Sequence, residues 1–285
     1  MSEAVKDYGL RPLWESILPI YTEFRGICER HGLRHWAAFG TALGAARHKG
    51  FIPWDDDFDV MRPRGDYEKF FQIAEAELPR HLRTITWRNT EGYKWMFGKV
   101  QDIRADNLKR VETALGRVLP QGIYIDIFPC DGYPNGKWTR ALRKLDGVVL
   151  CAKREFRTCP KNKRWHLRRL VMSVLGAVSP FYHRCRTLRD FAAANDRRMR
   201  ALPFEGIENI ITCGVRFSLG LTGTVYPAEL FCGTVELPFE GMTIPVVCDY
   251  ERYLSVEFGE WRSLPPEGSR LVTHTNEELA PWRCA

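Results

Sequence analysis

The chain has 285 residues, 45% of them hydrophobic and 27% charged, which is typical of a globular protein and excludes a disordered one. No apolar run approaches the roughly 20 residues that a transmembrane helix needs, and the first residues lack a secretion signal, so we expect a cytoplasmic protein. The net charge of +7 favours anionic partners, but we find no nucleic-acid-binding motif and expect no nucleic acid among them.

The N-terminal part of the chain alternates between helical and strand-like patterns. Apolar residues at helical spacing predict an amphipathic helix over residues 12–30. The apolar run 35–39 predicts a buried strand that meets a tight turn at Gly40-Thr41, and a brief helix is expected over residues 41–48. Residues 57–61 then alternate with the two-residue period of a strand.

The remaining elements follow a mixed order. A second amphipathic helix is expected from Asp66, which we predict to be its cap. A basic and mostly helical insertion occupies about residues 137–205. Strand, hairpin and helix patterns are predicted around it, at residues 84–87, 93–100, 123–128, 208–214, 236–246 and 250–258. Together these patterns predict an α+β fold, with a mixed sheet flanked by helices, in a single domain over residues 1–285.

Nine cysteines occur singly along the chain, and no two have C-x-x-C spacing. This pattern argues against a zinc site and against a secreted disulfide framework. We therefore expect reduced thiols, mostly buried, and assign them no chemistry.

Asp57 and Asp59 give the first indication of chemistry. In a strand, side chains two residues apart point to the same side, so these carboxylates should lie close together while Phe58 faces the buried side. Neighbouring carboxylates repel each other unless a cation lies between them, and Mg²⁺ prefers oxygen ligands together with substrate phosphates. A solvated acidic turn is the alternative that this short pattern leaves open.

Three nearby features favour a site for a metal and a phosphate. Gly40 and Thr41 lie at the predicted strand-to-helix junction, where backbone N–H groups and a hydroxyl bind phosphate well. Asp126 lies within the apolar strand 123–128, where an unpaired carboxylate is costly, and a role as third metal ligand explains it. Arg47 places positive charge just upstream of the aspartates, where it suits an anionic substrate.

Residues 39–60, from Phe-Gly-Thr to Pro-Trp-Asp-Asp-Asp-Phe-Asp-Val, closely resemble the signature of the LicD family. That family includes bacterial phosphorylcholine transferases and is related to fukutin and fukutin-related protein. The resemblance continues in four later segments, residues 99–102, 124–132, 237–241 and 253–266. The chain departs from the family pattern at Ala105, where threonine is common, and at Phe258, where tyrosine is usual.

The resemblance implies a nucleotidyltransferase-like fold and transfer of a phosphorylated alcohol. The donor would be CDP-linked, CDP-choline or a CDP-alditol, and the acceptor a glycan or lipid-linked glycan. Asp57, Asp59 and Asp126 would be the catalytic residues and the ligands of Mg²⁺ or Mn²⁺, with Asp126 acting either as ligand or as base. Gly40 and Thr41 would hold the donor diphosphate, and Arg47 and Lys99 would counter the charge of its phosphates.

Two other functions remain open at the level of the sequence. A true nucleotidyltransferase would attack the α-phosphate of a nucleoside triphosphate and release pyrophosphate, and it would share the Gly-Thr and Asp-x-Asp pattern. An inactive module that binds a glycan or nucleotide is the other alternative. Retention of all three aspartates argues against an inactive module.

The stretch 165–186 is not explained by the resemblance. Its apolar centre, residues 170–182, is flanked by arginines and carries aromatic residues near its ends. Such a pattern is typical of a segment that lies on an anionic membrane surface, which would make the protein peripheral at the inner face of the membrane. A core helix with solvated basic ends is the alternative interpretation.

Overall fold

A computed structural model of the chain describes residues 8–93, 95–104, 109–112, 118–158, 187–212 and 224–272. The first element is the amphipathic helix predicted from the apolar spacing, α1, at Arg11–Arg30. Its buried face carries the apolar residues Leu13, Ile17, Ile20, Tyr21, Phe24, Ile27 and Cys28. The other described α-helices are α2 (Phe39–His48), α3 (Arg64–Glu77), α4 (Lys137–Thr158), α5 (Leu188–Met199) and α6 (Tyr250–Phe258).

The strands of the described residues, in chain order, are β1 (Trp36–Ala37), β2 (Asp59–Pro63), β3 (Leu82–Ile85), β4 (Gly98–Asp102), β5 (Lys109–Glu112), β6 (Val118–Gln121), β7 (Tyr124–Tyr133), β8 (Asn209–Thr212), β9 (Val225–Pro227), β10 (Thr234–Phe239) and β11 (Met242–Val247). The main sheet has the order β1-β2-β7-β4-β3, with β8 also paired to β7 and β9 paired to β8. β2 runs parallel to β7, while the other pairs are antiparallel. The predicted α+β class, with a mixed sheet, is confirmed.

Strand β7 is the centre of this sheet because three strands share its ten residues. β2 pairs with it over residues 126–130, β4 over residues 124–127 and β8 over residues 130–133. The backbone of β7 is therefore held along its whole length, and its side chains have fixed positions.

A layer of aromatic side chains lies between the sheet and the helices that cover it. Phe24 of α1 and Phe70 of α3 meet edge to face, with ring centroids 4.9 Å apart. Arg62 of β2 is fully buried against these rings, with its guanidinium carbon 5.3 Å and 5.0 Å from their centroids. Arg62 of β2 therefore faces the aromatic layer, and Phe58, just before the strand, packs against Tyr21 of α1.

Several boundaries differ from the predictions, and two small units were missed. The predicted cap Asp66 lies instead in the first turn of α3, where it accepts hydrogen bonds from Arg34 rather than capping the helix. The β5–β6 hairpin and strand β9 were not predicted, because their short sequences lack a clear alternation. No described helix is long and apolar enough to cross a bilayer. The segment 165–186 lies outside the described residues.

Burial is mixed among the four cysteines whose side chains the structure describes. Cys28 and Cys130 are buried, but Cys232 is exposed and Cys248 is half-buried. Burial depends on where the hairpin β10–β11 and the turn before it are placed, which single cysteines in a sequence do not reveal.

His35 is an uncharged histidine inside the aromatic layer. Burial, followed by the positive charges of Arg62 and Arg25, lowers its pKa from 6.5 to about 3. Its Nε2 lies 3.3 Å from the hydroxyl of Tyr21, and its ring meets Phe24 edge to face. The folded chain therefore resists protonation of His35, whereas the unfolded chain accepts a proton below about pH 6.5.

Stability should consequently fall with acid, and His35→Gln should remove part of that fall. Between pH 7 and pH 5 the wild type should lose about 2 kcal/mol more of its unfolding free energy than the variant, since 1.4 kcal/mol accompanies each pH unit below the unfolded pKa. Urea unfolding at the two pH values measures both differences. Equal losses in the two proteins would contradict the assignment.

A buried charge network joins α3, β7 and α5. Arg64 Nε donates to Asp131 Oδ1 at 2.8 Å, and its Nη1 donates to Asp196 Oδ1 at 3.0 Å. Asp131 is fully buried. Next to it, a side chain at Gly132 would collide with the backbone carbonyl of Pro203, so glycine lets the chain after α5 approach β7. This Asp-Gly pair therefore fixes the packing around β7.

Asp131→Asn should destabilise the fold, because it leaves the buried Arg64 guanidinium without a full counter-charge. We expect a loss of about 3 kcal/mol in unfolding free energy, measured by urea titration. Glu229→Gln, which breaks an exposed pair with Arg252, is the matched control and should cost less than about 1 kcal/mol. Equal costs for the two variants would show that the Arg64 network is not a stabilising element.

Candidate active site

Asp59 and Asp126 lie side by side on neighbouring strands. The parallel register of β2 and β7 pairs Asp59 with Asp126, and both side chains are largely buried, with 8% and 7% exposure. Residues paired across adjacent strands project from the same face of a sheet. The register thus brings two aspartates that are 67 positions apart in sequence into one site, as the phosphotransferase hypothesis requires.

Lys99 completes a row of three charged residues across the sheet. The antiparallel register of β4 and β7 pairs Lys99 with Asp126, and the Lys99 Nζ lies 2.6 Å from Asp126 Oδ1. The same ammonium lies 3.3 Å from the ring centroid of Tyr124, two residues before Asp126 on the same face. Lys99 is therefore held against the carboxylate by an ion pair on one side and an aromatic face on the other.

Asp57 lies at the end of an acidic loop rather than in the strand. β2 begins at Asp59, two residues later than the alternation indicates, and residues 55–58 precede it without regular structure. One carboxylate oxygen from each of Asp55, Asp56 and Asp57 lies within 4.8 Å of the others. Asp55 and Asp56 were not among the predicted site residues, although the run of three aspartates was visible in the sequence.

Burial and neighbouring charges disfavour ionisation of two of the clustered carboxylates. Burial, followed by the charges of Asp57 and Asp126, raises the pKa of Asp59 well above its ordinary value, and Lys99 opposes that rise. Burial and the charges of Asp57 and Asp56 raise the pKa of Asp55 in the same way. The site holds the carboxylates of Asp55, Asp56, Asp57, Asp59 and Asp126 against the single ammonium of Lys99. Oxygen ligands in this number suit a hard divalent cation.

The first turn of α2 lies directly against the acidic residues. Thr41 is buried, and its Oγ1 accepts a hydrogen bond from the Asp59 backbone N–H at 2.8 Å. Because the hydroxyl accepts this bond, its own proton remains available to donate. A side chain at Gly40 would collide with the Asp55 carboxylate and force it to move, so glycine permits this close approach. The predicted pair Gly40-Thr41 thus borders the carboxylates.

The turn before α2 is strained and is held from the C-terminal part of the chain. Phe39 has a φ of 45°, which is unusual for a residue with a large side chain. Its backbone N–H donates to the hydroxyl of Tyr253 in α6 at 3.0 Å. A strained backbone conformation persists where surrounding contacts hold it in place, and such conformations are frequent at functional sites.

Glu240 holds the loop between α2 and the acidic residues. One of its oxygens accepts from the Phe51 N–H at 3.2 Å, and the other lies 2.6 Å from Arg11 Nη1. The Glu240 N–H donates to the Lys49 carbonyl at 3.0 Å, and a side chain at Gly50 would collide with the Glu240 carboxylate. The segment 237–241 was noted in the sequence only for its resemblance to a family motif. Through Glu240 it fixes the loop that leads from α2 to the acidic residues.

Arg47 lies at the opposite end of α2 from Thr41. Six residues of helix separate them by about 9 Å along the axis. Arg47 Nη1 donates to the carbonyls of Trp261, at 2.9 Å, and Ser263, at 3.2 Å. Burial and the nearby Arg270 lower its pKa. Among the described residues, Arg47 makes no ion pair with the acidic cluster, so of the predicted site residues it is the one that the fold does not bring to the others.

Gly40→Ala tests how closely α2 must approach the acidic loop. Alanine favours the helix, but its methyl group would displace the Asp55 carboxylate, so we expect turnover to fall by at least about tenfold with little loss of stability. Gly65→Ala in α3, where a methyl group meets open space, is the matched control and should retain wild-type turnover. Wild-type turnover in Gly40→Ala would mean that this contact has no role in the reaction.

Comparison with known proteins places the sequence of this chain in a family. The model described as "LicD/FKTN/FKRP, nucleotidyltransferase domain" matches residues 32–142, which include all of the predicted site residues. Lipopolysaccharide cholinephosphotransferase LicD of Haemophilus influenzae is 30% identical over 283 residues, which cover 96% of this chain and 98% of the relative. The chain belongs to the LicD family.

This result confirms the membership predicted from residues 39–60, and it identifies the chain as a phosphotransferase of the LicD family. Human and mouse ribitol 5-phosphate transferase FKRP are 42% identical over 52 residues, 18% of this chain and 10% of the relatives. The more distant relatives of this LicD-family chain thus match it over a short segment only, whereas the Haemophilus protein matches it almost from end to end.

Proposed function

We propose that this LicD-family chain transfers phosphocholine, or a similar alcohol phosphate, from a CDP-linked donor to a glycan hydroxyl and releases CMP. The observation that carries the proposal is the cluster formed by Asp59, Asp126 and the acidic loop next to the first turn of α2. The name of the Haemophilus relative, which transfers phosphocholine to lipopolysaccharide, supports the transferred group and the acceptor class.

The residues of the site fit a magnesium ion. Asp57, Asp59 and Asp126 offer oxygen atoms only, and burial and the charges of Asp57 and Asp126 raise the pKa of Asp59, a rise that a nearby cation would oppose. We propose Asp57 and Asp59 as ligands of Mg²⁺, or of Mn²⁺, which accepts the same ligands, with Asp126 as either the third ligand or the base for the acceptor. When bound, such an ion neutralises the diphosphate of the donor and stabilises the oxygen of the leaving CMP.

Residues of the chain would position the donor. The Thr41 hydroxyl has a proton to donate to a phosphate oxygen, and the α2 backbone N–H groups around Gly40 lie at a helix N-terminus that favours anions. Lys99, already fixed beside Asp126, would place a positive charge next to the transferred phosphoryl group. Arg47 lies about 9 Å along α2 from Thr41, where it suits a distant part of a long donor better than the diphosphate.

The acceptor would react at the same carboxylates. A sugar hydroxyl oxygen attacks the phosphorus next to the alcohol, the bond from this phosphorus to the CMP oxygen breaks, and the hydroxyl proton passes to Asp126. Lys99 keeps Asp126 in place for this role. The protein contributes mainly orientation and charge, because phosphoryl transfer needs little covalent help. We propose the whole chain as one catalytic domain, with residues 137–205 as a helical insertion.

Product analysis with three variants tests the proposal. Asp57→Asn, Asp59→Asn and Asp126→Asn should each lower CMP release from CDP-choline in the presence of Mg²⁺ and a glycan acceptor by more than about 100-fold, since direct ligands matter more than the groups around them. Each variant should keep its fold, because an asparagine preserves shape. Asp66→Asn in α3, outside the site, is the matched control and should retain activity.

The products also distinguish the two enzymatic functions. Release of pyrophosphate from a nucleoside triphosphate, with no CMP from any CDP-alcohol, would replace this proposal with a nucleotidyltransferase. Retention of near-wild-type turnover in one of the three variants at saturating Mg²⁺ would remove that residue from the site.

A further inference from the structure

Two thiols meet at the open end of the β10–β11 hairpin. Thr234 and Val247 form the last pair of the hairpin, and the Cys248 N–H donates to the Gly233 carbonyl at 3.2 Å just beyond it. The Sγ atoms of Cys232 and Cys248 lie 2.7 Å apart. Two sulfurs this close need a movement of less than 1 Å to reach the bonding distance of about 2.05 Å.

Both cysteines are attached to well-packed backbone. Cys232 follows a short 3₁₀ turn, Ala228–Phe231, in which Leu230 and Phe231 are buried. Cys248 precedes Asp249, whose side chain caps α6 by accepting from the Arg252 N–H. The thiols therefore do not depend on mobile side chains or loops to find each other, and only a small adjustment of their χ angles is needed.

The two thiols differ in accessibility, as a reactive pair requires. Cys232 is exposed and meets reagents from solution, while Cys248 is half-buried, with its Sγ also 3.5 Å from the Leu230 carbonyl. Cys28 and Cys130 are buried and lie elsewhere in the fold. An exposed thiol with a neighbouring thiol behind it is the arrangement that resolves a mixed disulfide into an internal one.

We propose that Cys232 and Cys248 are a reversible modification site that reacts with small-molecule disulfides such as glutathione disulfide. The Cys232 thiolate attacks one sulfur of the reagent, forms a mixed disulfide and releases one glutathione thiolate. The Cys248 thiolate then attacks the Cys232 sulfur, closes the internal disulfide and releases the second glutathione. Two protein thiols are oxidised, the reagent is reduced by the same two electrons, and the two thiol protons go to the released glutathione.

The internal disulfide would connect the two C-terminal elements that hold the proposed active site. The turn between β10 and β11 carries Glu240, which accepts a hydrogen bond from the loop before the acidic residues. Helix α6 carries Tyr253, whose hydroxyl accepts a hydrogen bond from the Phe39 N–H. Because the bond would form with little movement, turnover at moderate temperature should be unchanged, while the fold should become harder to unfold. This inference does not depend on the identity of the transferred group.

The experiment uses the full chain, reduced and then exposed to glutathione disulfide under native conditions. Free thiols are alkylated, the chain is digested, and the peptides are analysed by mass spectrometry. We expect loss of two reactive thiols, a cross-linked peptide that joins Cys232 to Cys248, and a melting temperature raised by roughly 5 °C that dithiothreitol reverses. Cys232→Ser and Cys248→Ser should each abolish the cross-link and the rise. Cys284→Ser is the matched control and should retain both.

Three results would overturn the proposal. The first is a stable glutathione adduct on Cys232 that never resolves into the internal bond. The second is a cross-link that joins either residue to a different cysteine. The third is an unchanged melting temperature when the wild type is fully cross-linked. All three are read from the wild-type chain, so they hold even if a serine variant folds poorly.

Discussion

The parallel pairing of β2 with β7 is the constraint on which the rest of the proposed site depends. It places Asp59 directly beside Asp126, and both are largely buried, so like charges are held together where water screens them poorly. Burial, followed by the charges of Asp57 and Asp126, raises the pKa of Asp59. Such an arrangement is unfavourable by itself, and Lys99 relieves it only in part. A cation and a phosphorylated substrate are the partners that would make it favourable.

The surrounding structure keeps this unfavourable arrangement in place. β7 is paired along its whole length, so Asp126 does not relax by a local shift of the strand. On the opposite face, the aromatic layer around Phe58 and Arg62 fixes β2. Arg62 is fully buried between two rings, and its Nη2 donates to the Cys28 sulfur at 3.5 Å. Its long side chain fills space in a tightly packed core.

Residues in the C-terminal part of the chain form hydrogen bonds that hold the backbone around the N-terminal site. Tyr253 and Glu240 reach back more than 180 positions to the Phe39 turn and the loop at Phe51, and Arg47 ties α2 to the segment after α6. The strained turn at Phe39 and the close contact between Gly40 and Asp55 are thereby maintained. This dependence gives a physical reason why the similarity to the Haemophilus relative extends over almost the whole chain rather than over residues 32–142 alone.

The amino-acid sequence was sufficient for the local elements and for the family. Apolar spacing predicted the ends of α1, α2, α6 and the β10–β11 hairpin to within a few residues. This was possible because the spacing of apolar side chains along the sequence follows the period of the helix or strand. The run from Phe39 to Val60 was long enough to identify the family, and an aspartate inside an apolar strand pointed to Asp126.

Only the tertiary structure decided which of these residues meet. The register of β2 on β7, the ion pair of Lys99 and the distance of Arg47 from the carboxylates depend on strand pairing between segments far apart in sequence. The same is true of the contact between Cys232 and Cys248, which single cysteines without a spacing motif could not reveal. Local periodicity reports which side of an element is buried, but pairing over long separations is set by the packing of the whole chain.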